Sequence, residues 1–137
     1  MGLSLYAGVT LTEALFNGGS SSLPTTWYVA LFTTQPSGGT GGTEASYTGY
    51  ARVALSNNTT DFAAVSSTTG QTSNAVQVTW PTNTGSPQTV VGFGFFDAAT
   101  GGNLWMDETF TNSQTVNTNT APYASVGALA IAPIISP

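Results

Sequence analysis

The sequence predicts an all-β fold: an antiparallel β-sandwich, jelly-roll-like, with one short N-terminal helix. Three observations carry this. Apolar residues arrive in strand-sized runs separated by Gly/Ser/Thr-rich loops. The stretch Val90–Phe110, VVGFGFFDAATGGNLWMDETF, reads as a hairpin around the loop Asp97–Asn103. Only one segment, near the N-terminus, carries a helix signal. At 137 residues the chain fits a single domain spanning residues 1–137, of a size that buries about 68% of the unfolded chain's surface. Residues 1–9 and 132–137 read as terminal arms.

In chain order, Thr10-Leu11-Thr12-Glu13 matches a capping box, with Thr10 as N-cap. Leu11, Leu15 and Phe16 then form the packing face, and Gly18 or Gly19 ends the helix. Trp27–Thr33 is apolar on both faces, as expected of a central strand covered on both sides. A Gly/Thr loop follows Pro36. Tyr50–Ser56 alternates, with Ala51, Val53 and Leu55 inward. Asn57–Asn74 is polar and is either a weak edge strand or a loop anchored by Phe62. Ala75–Trp80 is a strand ended by Pro81.

In the hairpin, Val91, Phe93 and Phe95 face one way and Val90, Gly92, Gly94 and Phe96 the other. The paired glycines leave room for a neighbouring ring or backbone. After the loop, Leu104, Met106, Glu108 and Phe110 share a face. Asn112–Pro122 is a polar connection, and Tyr123–Ile131 a strand with Ala124, Val126, Ala128 and Ala130 on one side.

Composition excludes more chemistry than it supports. There is no Lys, His or Cys, and Arg52 is the only basic residue against six acids, for a net charge of −5. Nucleic-acid binding needs cations to replace counterions, and one arginine cannot do that. An anionic membrane surface would repel the chain. No signal peptide or transmembrane stretch is visible in the sequence. No conventional base stands ready to activate a Ser or Thr nucleophile, and the Gly-rich loops lack the lysine of a phosphate loop. Asp107 and Glu108 are adjacent on a strand and face opposite ways. A calcium site at Asp97 and Asp107 lacks any supporting spacing. No catalytic, cofactor-binding or metal-binding residue is therefore assigned, and no cofactor is expected.

Other candidates concern contacts. Arg52 reads either as a local ion pair with Glu44 or Asp61, or as a charge reaching across a subunit interface. Tyr47 and Tyr50, bordering a glycine loop, are the expected exposed aromatics. In the terminal arms, Leu3, Leu5, Tyr6, Ile134 and Ile135 are candidate anchors on a partner, unless the ends fold back on the domain itself.

The segments PTTWYVALFTTQP, GTEASYTGYARVAL, VQVTWP and TVVGFGFFDAATGGNLW, in this order after a capped helix, resemble small virion structural proteins of tailed bacteriophages, of the head-decoration (cement) or small tail-fibre kind. The resemblance covers Thr10–Ile131 and implies a β-sandwich that assembles on the virion after synthesis in the host cytoplasm. The first expectation is a decoration protein that binds the major capsid protein at capsomer junctions and stabilises the shell. The alternative is a small tail-fibre or baseplate subunit among tail proteins, with Tyr47 and Tyr50 meeting host glycans. A free carbohydrate-binding module is a further alternative. Edge strands that need cover lead us to expect dimers or trimers.

Overall fold

The computed structural model describes residues 2–132 and is mainly β. A six-stranded antiparallel sheet forms one layer. Its main path runs β1 (Gly2–Leu3), β8 (Leu104–Val116), β7 (Gln88–Phe96), β2 (Thr26–Thr34) and β3 (Thr43–Glu44). Strand β4 (Val53–Ser56) pairs with the N-terminal half of the same β2 edge that β3 borders further along. Two short pairs make the opposing layer: β5 (Thr72–Ser73) with β10 (Ala130–Ile131), and β6 (Val78–Thr79) with β9 (Tyr123–Ala124). The result is sandwich-like and antiparallel throughout. One helix, α1 (Leu5–Phe16), packs near the start of β8.

The apolar run Trp27–Phe32 sits at the centre as its two-sided pattern requires. Val29 and Ala30 are fully buried, and β7 and β4 flank the strand. Trp27, Val29 and Leu31 meet Phe93, Phe95, Val78, Trp80 and Leu129 in the core between the layers. Trp80 ties the layers together, because its indole Nε1–H donates to the Val29 carbonyl at 2.9 Å. On the other face of the sheet, Gly94 receives the Phe32 ring and the Leu104 side chain. A Cβ there would stand 2.7 and 2.8 Å from them.

Several local expectations are corrected. The helix begins at Leu5, not after Thr10, because Ser4 is the N-cap and its hydroxyl accepts from the Ala7 N–H. Register shifts in the β7–β8 ladder, at Val90/Gly92 and at Phe95/Phe96, reassign faces. Val90 thereby joins Phe93 and Phe95 in the core, and Leu104 turns away from Met106 towards Gly94. Strand β8 runs on to Val116, so Asn112–Val116 belongs to the ladder and not to a loop. Ala51 is exposed, and only Leu55 of the β4 run is deeply buried. The stretch Tyr123–Ile131 is broken into two strands by a turn at Gly127, whose φ is +81°. Phe62 anchors an otherwise irregular loop, its ring 6.2 Å from that of Phe95.

Candidate assembly surface

Helix α1 is held at its N-terminal end from three sides. The Ser4 N–H donates to the Trp105 carbonyl at 2.8 Å, the Ser4 hydroxyl donates to the Leu104 carbonyl, and the Leu5 N–H donates to Gly38 at 3.1 Å. Gly39 approaches Ser4 so closely, at φ +80°, that no side chain fits there. At the other end, Gly18 adopts φ +67°, and the N–H groups of Asn17 and Gly19 both donate to the Glu13 carbonyl.

These ends fix which face turns inward. Ala7 is fully buried, while Leu11 and Ala14 are half-buried. The small alanines, one heptad apart, let the helix lie close to β8, and Tyr6 packs edge-on against Trp105 at 5.4 Å. Leu15 and Phe16, expected to pack inward, are instead 75% and 79% exposed. Leu5 and Val9 are also exposed. Residues 5, 9, 12 and 16 follow the i, i+4, i+7, i+11 spacing of a single stripe on the solvent side. Six of the ten exposed large hydrophobic residues among the described residues lie in Leu3–Phe16; the other four, Leu23, Val65, Tyr123 and Val126, lie elsewhere in the chain. An open groove lined by Leu3, Leu5, Gly8, Val9 and Thr12 runs beside the stripe.

The predicted anchors therefore divide into three groups. Leu3, Leu5 and Tyr6 share this surface, yet they belong to β1 and α1 rather than to a free arm, since Gly2 and Leu3 pair with Asp107 and Met106. Ile134 and Ile135 lie outside the described residues. Arg52, Tyr47 and Tyr50 come together elsewhere, inside the domain.

The Arg52 side chain is only 6% exposed, contrary to the outward orientation expected of it. Its Nε and Nη2 donate to the two Glu44 carboxylate oxygens at 2.8 and 2.7 Å. Its Nη1 donates to the Ala98 and Gly101 carbonyls, and the guanidinium stacks 3.6 Å over the Phe96 ring. This is the local ion pair, extended into a clamp between β3–β4 and the hairpin loop. Tyr47 is buried, correcting its expected exposure, and its hydroxyl donates to the Pro81 carbonyl. Burial pushes that hydroxyl's pKa up to about 12. Tyr50, half-buried and edge-on to Tyr47, donates to Glu44 and accepts from the Leu31 N–H. Burial raises its pKa well above the ordinary tyrosine range; the Leu31 hydrogen bond opposes the rise and Glu44 adds to it. Trp27, Trp80 and Trp105 are buried too, so the aromatics do not form a sugar platform.

Asp97 closes the hairpin loop. It accepts from the Asn103 N–H at 2.7 Å, from the Asn103 amide at 2.9 Å and from the Trp105 indole at 3.2 Å. Asp107 accepts from Gln35 on the sheet face. No cluster of three or more potential metal ligands occurs among the described residues, and no helix among them is long and apolar enough to cross a membrane.

Composition concealed two functional side chains. Asn74 and Asn83, read as loop residues, are almost fully buried. The Asn74 amide donates to Val76 and Ser125 while its carbonyl oxygen accepts from Leu129 N–H. Asn83 does the same with Ser86, Val116 and Gly85.

A family model described as podophage GP4 fiber I protein gp80 matches residues 2–132, nearly the whole chain. The chain belongs to this phage fibre protein family. It is a phage structural protein, and its exposed apolar helix is a surface of the kind such proteins use to assemble. No curated protein is a significant match.

Proposed function

We propose that this chain is a subunit of a fibre on the phage particle, a non-catalytic building block that acts through contacts with other virion proteins. The match to a fibre protein family along residues 2–132 carries this reading. The distribution of side chains supports it. The aromatic residues that a glycan platform would need are packed inside, while large apolar residues are displayed together on α1. Such a surface suits protein contact better than capture of a polar ligand.

The same chain used as a shell decoration would bind the major capsid protein instead of tail proteins. No specific observation favours that over a fibre. Host-sugar contact through Tyr47 and Tyr50 is not retained, because both rings lie within the domain. Quantitative mass spectrometry of purified particles tests the reading. A fibre subunit is present in a few copies relative to the major shell protein. A complement comparable to that of the shell would move the chain to the capsid, and its absence from particles would overturn a virion role.

A further inference from the structure

The outward stripe of α1 has a shape that specifies its own occupant. Leu5, Gly8, Val9 and Thr12 stand at i, i+3, i+4 and i+7, the four corners of a hole into which a facing helix inserts a side chain. Gly8 forms the floor, with nothing within 4 Å of where its Cβ would be. One turn beyond the hole, Phe16 is a bulky knob, 79% exposed. Hole and knob therefore sit towards opposite ends of one short helix.

We infer that this surface binds a second copy of the same chain, two α1 helices packing antiparallel about a two-fold axis near Thr12. In that arrangement each Phe16 enters the hole of the other copy, the isologous match that a two-fold requires. Large side chains bury roughly 150–250 Å² each. The exposed parts of Leu3, Leu5, Tyr6, Val9, Leu15 and Phe16 thus offer on the order of 700 Å², close to the ~800 Å² per partner of a stable interface. Charge does not oppose the contact strongly. Glu13 is the only charged residue on the helix, at the margin of the stripe. The two-fold puts both Glu13 side chains on the same side, so added salt tightens the pair. The pairing deepens the fibre reading by naming a partner for its contact surface, but it is a property of the isolated protein and is tested there.

Sedimentation equilibrium on the purified full chain should give a monomer–dimer equilibrium. Phe16→Asp should leave it monomeric with its melting temperature unchanged. Gly8→Leu fills the hole from an open position and should weaken association tenfold or more. Because the chain has no cysteine, single substitutions report the geometry. Thr12→Cys should form a disulfide-linked dimer. Leu5→Cys should not, since the two copies of residue 5 lie about 20 Å apart along antiparallel helices at 1.5 Å per residue. A monomer at all concentrations, a trimer, or efficient cross-linking through Leu5→Cys would overturn the proposal. A monomeric chain in which Phe16→Asp still blocks incorporation into particles would assign the face to another virion protein; that overturns the pairing and leaves the virion role standing. If Phe16→Asp fails to fold, the two cysteine variants decide.

Discussion

Arg52 illustrates what a lone charge does in a nearly uncharged chain. Its guanidinium is desolvated, and four hydrogen bonds and the Phe96 ring replace the lost water. Replacing it with Met leaves Glu44 without its cation and two loop carbonyls without donors. Breaking a buried pair costs 3–5 kcal/mol in general. Glu44 keeps 29% exposure, so we expect about 3 kcal/mol for Arg52→Met by urea denaturation. A loss within error would show that the clamp contributes nothing. Gly94 makes the opposite demand, for absence of bulk. Gly94→Val drives a side chain against Phe32 and Leu104 and should cost about 1–3 kcal/mol, read as a lowered melting temperature. Asn83→Ala strands Gly85, Ser86 and Val116 partners at a buried site and should cost about 2–4 kcal/mol. Of these residues, the sequence makes Gly94 legible, since two same-face glycines in an apolar strand imply close approach. An ion pair for Arg52 was also legible, but not its burial. Asn74 and Asn83 were not, because a buried hub asparagine and a loop asparagine look alike until the backbone folds around them.

Among elements, the hairpin was the most readable and the helix the least. Alternation located β7 and β8, and Asp97 with the two glycines located their loop. Register shifts then moved Val90 and Leu104 to faces that strict alternation denied them, a change of pairing that leaves no mark on composition. The helix stop was legible in Gly18. Its start was misplaced because Thr10–Glu13 satisfies the capping-box pattern, whereas Ser4 caps alone and is fixed by distant carbonyls at Leu104 and Trp105. Apolar residues lie all round α1, so periodicity could not say which of them faced inward. The alanines at 7 and 14 were the available signal. Burial of Asp97 tends to raise its pKa, but the hydrogen bonds from Asn103 and Trp105 outweigh this and hold it below the ordinary 3.8. The folded state therefore favours the carboxylate. Its contribution is complete above that value and is lost as pH falls through the lower folded pKa. Wild-type stability should fall more steeply below about pH 4 than that of Asp97→Asn; parallel acid titrations of the two would contradict the loop-closing role.

At the scale of the molecule, charge poverty and burial of the aromatics lead to the same conclusion. A sandwich-like domain with its one cation and its tryptophans directed inward offers neighbours mainly polar surface and one apolar helix. The fold also limits its own tolerance to alkali. Tyr47 ionises at about pH 12 in the folded chain against 10.0 ordinarily, so stability should hold to about pH 10 and decline between those values. Fold class was legible from run lengths and loop composition because both follow from local chemistry. Membership of a fibre family was legible only as a resemblance to phage virion proteins, since the place a building block occupies is set by its neighbours. The most direct measurement is a reconstruction of the phage particle with this chain located in its density. The account predicts that the domain lies in a fibre, α1 against protein and the Arg52 clamp away from any interface. Density for it spread over the capsid shell, or a particle complete without it, would contradict the account.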